Sequence, residues 1–371
     1  MLASDLDNDN NKRTIKDVLK ELVLNPEKFT SAMAADGLRS IMRGEATDAQ
    51  IGGFLTALRL GGIGWKPEII AALAAEGHSK ALVPVLNTDT ISRKELGMVV
   101  DIVGTGGDGW STFNISTTSS LVVATAADLR VAKYGSRAST SNSGSADLLE
   151  AMGCSLSAVK PSDVAELLYK NKFCFLFANT YHPGMRHLSN TRRELGFPTP
   201  FNILGPLTNP VVPDRAVVGV YSRSLGRTMA EALKILGRRN YAVVCGDENL
   251  DEVSIAGISH VWHIRKNGNI DEYTVHPSDF GVPTHPLSAA AGSTLEDNKA
   301  TLKRLLSNKL EDQDIPVRDF VLINAGFLLF VSGVVQSFKE GADLARQTLE
   351  SGKVQDMLGC FASATQKLEL R

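Results

Sequence analysis

The sequence predicts an α/β protein: a small all-helical N-terminal domain precedes a large α/β domain whose mostly parallel central sheet is flanked by helices. Residues 13–80 carry only helical patterns. From Met98 onward, short β-branched runs alternate with helical stretches, which is typical of strands covered by helices on both faces. Several strands end in glycine or hydroxyl-rich turns, and ligands bind such sheets outside the carboxyl ends of their strands.

The helical region has clear start and stop signals. The segment Thr47–Gln50 is a capping box that opens a helix, and Gly61-Gly62 ends that helix. Apolar residues recur at helical spacing and would bury one face: Ile51, Phe54, Leu55 and Leu58. Residues 1–12 are acidic and Asn-rich, and we expect a disordered tail without the pattern of a signal or transit peptide. Residues 82–93 have no clear period and predict a linker.

Five apolar runs predict the strands of the parallel sheet, and two more predict a hairpin at its edge. The parallel strands are expected at Val99–Val103, Leu129–Lys133, Phe173–Phe177, Ala216–Tyr221 and Tyr241–Cys245. His260–Ile264 and Glu272–Val275 flank a turn that contains glycine, which favours an antiparallel hairpin.

Composition excludes several classes of function. The 371 residues have a formal net charge of −2, so nothing favours nucleic acid or an anionic membrane as a partner. The longest uncharged stretch, Phe320–Phe338, contains polar residues and predicts a buried helix instead of a membrane span. Four scattered cysteines form no disulfide framework or zinc motif, are expected to be buried, and fit a reducing compartment. We therefore expect a cytoplasmic protein.

The most informative segment is the turn Gly104-Thr105-Gly106-Gly107-Asp108-Gly109. It follows a predicted buried strand, and a helix then opens at Asn114-Ile115-Ser116-Thr117. Glycines let backbone N–H groups approach an anion, and the free N–H groups and dipole of a helix N-terminus favour negative charge. The segment predicts a phosphate-binding turn.

The turn also partly matches other nucleotide-binding motifs. Gly104, Gly106 and Gly109 match the dinucleotide fingerprint, but the acidic residue at the required distance, Asp128, precedes its strand instead of ending it. Asp108 also places a carboxylate inside the turn, which suits a divalent cation or a ribose hydroxyl. A Walker A site would need a Lys-Ser/Thr pair after the glycines, and none follows. A purely structural turn remains an alternative, weakened by the hydroxyl cluster that follows.

A second polar turn follows the next predicted strand, over residues 133–147, with a helix expected near Ser145. Lys133 could place a positive charge on a phosphate, while serine and backbone donors would surround the phosphate oxygens. On composition alone, a solvated loop is an equal alternative. Its position at the same edge of the sheet as the first turn favours a functional role.

Charged residues elsewhere suggest a metal and a second substrate. Asp251-Glu252 follows an apolar strand, and two carboxylates there suit Mg²⁺, although such a pair alone is usually surface charge. Arg192 could bind a carboxylate or phosphate of a second substrate, whereas Arg193 is better explained as a surface residue. His182 stands before a proline and is interpreted as a positioned pocket residue, not a general base.

Taken together, the motifs resemble those of the anthranilate phosphoribosyltransferase family over nearly the whole chain, from Ile15 to about Gly359. The resemblance depends on seven segments in order: residues 104–108, 114–117, 133–139, 144–147, 192–196, 202–210 and 251–252. It implies transfer of phosphoribose from phosphoribosyl pyrophosphate to the amine of anthranilate, the second step of tryptophan biosynthesis from chorismate.

The resemblance also assigns roles to residues of this chain. The donor, phosphoribosyl pyrophosphate, would be held by Gly104, Thr105, Gly106, Gly107, Asp108, Thr112, Asn114, Ile115, Ser116, Thr117, Lys133, Ser139, Ser141 and Ser145. Anthranilate would meet Arg192, Ser136, His182, Gly205 and Pro206. Mg²⁺ would be served by Ser116, Asp251 and Glu252. No residue would act as a covalent nucleophile.

The resemblance further implies a domain arrangement and a homodimer. Residues 13–94 with about 180–202 would form the helical domain, on the dimerisation and acceptor side. Residues 95–179 and 203–371 would form the donor-binding α/β domain. Two departures affect the acceptor side: Tyr134 stands where the family usually has histidine, and Ser136 where it often has asparagine.

Two rival functions share this fold. A pyrimidine nucleoside phosphorylase would carry a Lys-His-Ser run before the glycine turn, where this chain has Asp101-Ile102-Val103. A non-catalytic nucleic-acid-binding homologue would be basic and would lack Arg192, whereas this chain is slightly acidic and retains that arginine.

Overall fold

The computed structural model describes residues 13–137 and 143–371. The predicted disordered tail, together with Ser139 and Ser141, lies outside the described residues. The N-terminal region is helical as predicted, with α1 (Ile15–Leu24), α2 (Ser31–Met42), α3 (Asp48–Leu60) and α4 (Pro67–Ser79). The capping box of α3 is confirmed, because the Thr47 hydroxyl accepts from the Gln50 backbone and the Gln50 side chain accepts from the Thr47 backbone. The predicted apolar face of α3 is buried.

A seven-stranded sheet forms the centre of the second region. Its strands are β1 (Val99–Gly104), β2 (Arg130–Gly135), β3 (Phe173–Phe177), β4 (Arg215–Gly219), β5 (Tyr241–Gly246), β6 (Ser259–Ile264) and β7 (Ile270–Val275). The spatial order is β3-β2-β1-β4-β5-β6-β7. The first five strands pair in parallel, and β6 and β7 form the predicted antiparallel hairpin at one edge. The predicted fold class is confirmed.

Further helices lie before, between and after these strands. They are α5 (Arg93–Leu96), α6 (Ile115–Ala126), α7 (Ser145–Ala151), α8 (Val164–Asn171), α9 (Ala178–Tyr181), α10 (Arg186–Leu195), α11 (Arg223–Ile235), α12 (Leu295–Leu306), α13 (Ile315–Val331), α14 (Phe338–Glu350) and α15 (Lys353–Glu369). Helix α10 returns to the N-terminal region and packs against α2 and α3.

Side chains alternate along each strand, and those of the central strands are buried on both faces of the sheet. Ala216 and Val218 of β4 belong to a core shared with α4, α11 and the N-terminal helices. The intervening Val217 belongs to a second core, built with α6, α13 and the C-terminal helices. The uncharged stretch predicted as a buried helix forms most of α13, whose central turns are fully buried. Within the described residues, the helices are all too short or too polar to cross a membrane.

One expectation about the cysteines is wrong. Cys154, Cys174 and Cys245 are buried free thiols, as expected, but Cys360 is exposed. It lies on the outer side of the amphipathic helix α15, whose buried residues include Leu358 and Phe361. The exposure of Cys360 is decided by the side of α15 on which it lies, and the number and spacing of the cysteines do not predict that side.

Candidate active site

A cavity of about 630 Å³ opens at the carboxyl ends of the central strands. Its walls are the turns that follow β1, β2 and β5, one face of α10, and the segment around Pro206. Every candidate site residue that the structure describes lines this cavity: Gly104, Thr105, Gly106, Gly107, Asp108, Thr112, Asn114, Ile115, Ser116, Thr117, Lys133, Ser136, Ser145, His182, Arg192, Gly205, Pro206, Asp251 and Glu252. Residues separated by almost 150 positions in sequence therefore share one space.

The glycine turn has the backbone geometry that its sequence predicts. Gly106, Gly107 and Gly109 have φ values of 68°, 81° and 80°, in the left-handed region that favours glycine. The turn leads into α6, which begins at Ile115 and places its N-terminus at the cavity. The Asn114 side chain donates to the Ser143 carbonyl oxygen at 2.9 Å, which joins the turn after β1 to the turn after β2. Free N–H groups at this corner can bind an anion.

Three carboxylates gather at this wall of the cavity, one within the glycine turn and two beside it. Burial raises the pKa of Asp251, and the negative charge of Asp108 raises it further. Burial likewise raises the pKa of Glu252, with the charge of Asp251 adding to the effect. Burial also raises the pKa of Asp108. Mutual repulsion in a buried wall is relieved when a cation binds between the carboxylates.

These residues fit a magnesium ion. Glu252 Oε2 is buried and has no hydrogen-bond partner among the described residues, so it is free to serve as a ligand. Within the described part of the chain, no group of three or more His, Cys, Asp or Glu side chains forms a ready-made metal site. Mg²⁺ commonly takes only one or two protein carboxylates and completes its shell with water and substrate phosphate.

Gly219, at the end of β4, lies so close to the backbone of Asp251 that there is no room for a side chain at this position. A Cβ at this position would overlap the backbone carbonyl of Asp251. We expect Gly219→Ala to lower the free energy of unfolding by roughly 1–3 kcal/mol, the usual cost of overpacking. Urea unfolding would measure this change. Gly359→Ala is the control, since a Cβ there meets open space on α15, and it should instead stabilise by about 0.4–1 kcal/mol. An unchanged unfolding midpoint for Gly219→Ala would contradict the packing described.

Lys133 lies in the floor of the cavity, only 2% exposed. Its amine donates to the carbonyl oxygen of Ile102 at 2.8 Å. Burial lowers the pKa of Lys133, and the negative charge of Asp101 acts in the opposite direction. Burial in turn raises the pKa of Asp101 to about 6, although Lys133 and the Asn209 amide lower it.

Asp101 is a residue to which the sequence analysis gave no role. Its Oδ2 accepts from the Asn209 side chain at 2.9 Å, and Asn209 also donates to the Ala132 carbonyl oxygen. The signal in the sequence is a carboxylate inside an otherwise apolar buried strand, where an unpaired charge would be costly. Such a residue predicts a buried cation nearby.

Helix α10 forms the opposite wall of the cavity. Arg192 is half-buried there, and burial lowers its pKa. No carboxylate in residues 13–137 or 143–371 forms an ion pair with it. Arg193 is exposed and donates to Asn190, as expected for a surface residue. Arg186 and Ser189 line the cavity as well and were missed, although a polar residue at every third position on a helix predicts one shared face.

His182 and Tyr134 meet between the two walls. His182 is buried, its Nε2 lies 2.9 Å from the Thr208 carbonyl oxygen, and burial lowers its pKa. The Tyr134 ring meets the His182 ring edge-on at a centroid distance of 5.6 Å. A neutral, fixed imidazole agrees with a positioned pocket residue. Ser136 is exposed at the rim and donates to the Arg137 carbonyl oxygen.

The cavity wall contains one aromatic residue that the sequence analysis did not assign. Trp110 is 42% exposed, and its indole N–H donates to the Glu248 carbonyl oxygen at 3.0 Å. It therefore connects the glycine turn to the segment that carries Asp251. By contrast, Asp128 is exposed before β2 and pairs with Arg130, which agrees with its rejection as a ribose ligand.

Comparison with known proteins agrees with the fold. Residues 16–77 match the family described as "Glycosyl transferase family, helical bundle domain", and residues 96–355 match its "a/b domain". An anthranilate phosphoribosyltransferase of Schizosaccharomyces pombe is 40% identical over 330 residues, which cover 89% of this chain and 91% of the relative. The enzyme of that name from Laribacter hongkongensis is 41% identical and covers 96% and 99%.

A solved structure gives the same result. Anthranilate phosphoribosyltransferase from Saccharomyces cerevisiae, in complex with PRPP and Mg, superposes with a TM-score of 0.86 at 34% identity. The match covers 95% of this chain and 98% of the yeast chain. The same yeast enzyme has been solved with 4-fluoroanthranilate. This chain belongs to the anthranilate phosphoribosyltransferase family.

Proposed function

We propose that this chain transfers the 5-phosphoribosyl group from phosphoribosyl pyrophosphate to the amine of anthranilate, giving N-(5-phosphoribosyl)anthranilate and pyrophosphate. One observation carries the proposal beyond family membership. A single cavity places a glycine turn and half-buried carboxylates on one wall and, on the other, Arg192, which forms no ion pair within the described residues. Two anionic substrates could thus bind at opposite ends, with their reacting atoms between them.

The donor is assigned to the wall formed by the two turns. Backbone N–H groups of Gly104–Asp108 and the N-terminus of α6 would bind phosphate oxygens, with hydroxyls from Thr112, Ser116, Thr117 and Ser145. Lys133 would add a positive charge from the floor. Ser139 and Ser141 stay predictions from the resemblance, since they lie outside the described residues.

Mg²⁺ is assigned to Ser116, Asp251 and Glu252, with Asp108 close by. When bound, the ion would neutralise negative charge on the departing pyrophosphate. Two observations support this assignment: Glu252 Oε2 has no hydrogen-bond partner among the described residues, and the carboxylates cluster at one wall of the cavity.

The chemistry requires no protein nucleophile. The bond between C1 of the ribose and a pyrophosphate oxygen breaks, and the amine nitrogen supplies the electron pair of the new C1–N bond and then loses a proton. Positive charge develops on the sugar and negative charge on the leaving group, so donors aimed at the pyrophosphate oxygens stabilise the transition state. An aromatic amine is neutral at pH 7, and its lone pair needs no strong base to expose it. Holding the amine in line with C1 supplies much of the remaining acceleration.

The acceptor is assigned to the opposite wall. Arg192 would pair with the anthranilate carboxylate, and His182, Ser136, Gly205 and Pro206 would border its ring. Because Arg192 has no carboxylate partner among the described residues, binding an acidic acceptor would not require breaking an ion pair.

The helical region is proposed to form a domain of residues 13–94 with about 180–202, and to mediate a homodimer. The packing of α10 against α2 and α3 supports the domain boundary. Exposed apolar side chains in this region support the interface: Val23, Leu24 and Leu60 are 60%, 65% and 80% exposed. Light scattering after size-exclusion chromatography would test the dimer.

Free cysteines and the absence of a basic surplus support a cytoplasmic enzyme without a nucleic-acid partner.

The reaction can be tested by the fluorescence of anthranilate. Its emission should decay when protein, phosphoribosyl pyrophosphate and Mg²⁺ are all present, and should stay constant when any one of them is omitted. A constant signal in the complete mixture, with folded protein, would contradict the proposed function.

Asp101→Asn should shift the pH dependence of donor use. The charge of Asp101 raises the pKa of Lys133, so its removal lets Lys133 lose its proton at lower pH. The alkaline limb of kcat/KM for phosphoribosyl pyrophosphate should then move to lower pH. Asp128→Asn, an exposed carboxylate before the same strand as Lys133, is the control and should leave the limb in place. An unmoved limb in Asp101→Asn would rule out this coupling.

A further inference from the structure

The side chain of Asp251 occupies the glycine turn itself. Its Oδ2 accepts from the Gly106 backbone N–H at 2.6 Å. A Cβ on residue 104 would overlap the same carboxylate. The turn therefore has room for the Asp251 side chain only because residue 104 is a glycine. Both Gly104 and Gly106 line the cavity together with Asp251. A carboxylate thus fills the concave side of a turn that the proposed function assigns to phosphate.

Carboxylate and phosphate oxygens compete for the same kind of donor. A backbone N–H in a glycine turn with positive φ points into a small concavity that binds anions. The Gly106 N–H can make one strong hydrogen bond, and Asp251 already accepts it. A diphosphate that enters the turn must therefore displace the Asp251 side chain from Gly106.

We propose that Asp251 acts as an internal anion that holds the glycine turn until the donor arrives, and that Mg²⁺ draws it away. This inference rests on the proposed function of the turn as the diphosphate site. When Asp251 turns toward the cation, the Gly106 N–H becomes available to the diphosphate. Metal and donor then bind cooperatively, and diphosphate alone binds weakly, because nothing compensates for the lost contact to Asp251.

Glu252 provides a matched comparison. It carries the same charge, lies next to Asp251 in the chain and lines the same cavity. Its Oε2 makes no hydrogen bond within the described residues, and the backbone N–H that acts on its carboxylate is that of Ser116, not that of Gly106. Glu252→Ala removes one negative charge from the wall without opening the turn, whereas Asp251→Ala removes the charge and opens the turn.

Titration calorimetry with inorganic pyrophosphate in the presence of EDTA tests the proposal. We expect Asp251→Ala to bind pyrophosphate roughly tenfold more tightly than Glu252→Ala, the gain from one freed hydrogen bond to a charged ligand. Asp251→Asn keeps an acceptor oxygen and the side-chain shape, and should fall between them. Equal or weaker binding by Asp251→Ala than by Glu252→Ala would overturn the proposal.

Amide exchange gives a second readout that needs no ligand. In protein labelled with [¹⁵N]glycine, the Gly106 amide should exchange several-fold faster in Asp251→Ala than in wild type and Glu252→Ala. Equal exchange in all three would also overturn the proposal. Failure of the proposed function is distinguishable, because it would appear as constant anthranilate fluorescence whatever the exchange rate of Gly106.

Discussion

Alanine at Asp251 or Glu252 is expected to lower kcat/KM for phosphoribosyl pyrophosphate by roughly 100- to 1,000-fold at limiting Mg²⁺, the effect of losing one electrostatic contribution to the transition state. Both carboxylates are half-buried in the wall beside the glycine turn, and their raised pKa values reflect charge that a cation would neutralise. Steady-state kinetics across a Mg²⁺ series would measure the loss, which high Mg²⁺ should partly restore.

Asp247→Ala is the control for this prediction. Asp247 belongs to the same segment after β5, but its side chain is 52% exposed, pairs with His260 and does not line the cavity. Its replacement should change kcat/KM by less than twofold, as is usual for an exposed pair. Full activity of Asp251→Ala and Glu252→Ala at limiting Mg²⁺ would remove both residues from the metal site.

The second large effect is expected at Arg192. Arg192→Ala should raise the KM for anthranilate by roughly 10- to 100-fold, since a hydrogen bond to a charged group contributes about 1.5–3 kcal/mol. The KM for phosphoribosyl pyrophosphate should stay nearly constant, because Arg192 lies on the wall opposite the glycine turn. Initial rates with each substrate varied in turn would separate the two constants.

The neighbouring arginine gives a matched control on the same helix. Arg193 is exposed, donates to Asn190 and does not line the cavity, so Arg193→Ala should leave both KM values unchanged. Arg192→Lys should recover only part of the acceptor affinity, because an ammonium group cannot reproduce the two parallel hydrogen bonds of a guanidinium. A collapse of donor affinity in Arg192→Ala would show that its assigned role is wrong.

The strand-to-helix turns were predictable because their chemistry is local. Residues 106 and 107 have positive φ, which favours glycine at both positions. The edge hairpin was predictable from two short apolar runs that flank a turn containing glycine. The convergence of Arg192 with Asp251 was predictable only through the resemblance to a family. No local pattern says that α10 returns to the sheet edge, since that depends on its packing against α2 and α3.

Other parts of the site could not be predicted because they depend on tertiary contacts. The hydrogen bond from Gly106 to Asp251 joins residues 145 positions apart. Trp110 contacts Glu248 across 138 positions of the chain, and nothing in its surrounding sequence indicates this. The exposure of Cys360 depends on which side of α15 meets the core. The burial of Lys133 beside Asp101 was not predicted, because it depends on which side chains of the neighbouring strands face each other.

A crystal structure of this chain with phosphoribosyl pyrophosphate and Mg²⁺ would test the central claim most directly. We expect the diphosphate against Gly104–Gly107 and the start of α6, the cation beside Glu252, and Asp251 turned away from Gly106. Electron density for the ligand elsewhere, with Asp251 still accepting from Gly106, would contradict the account.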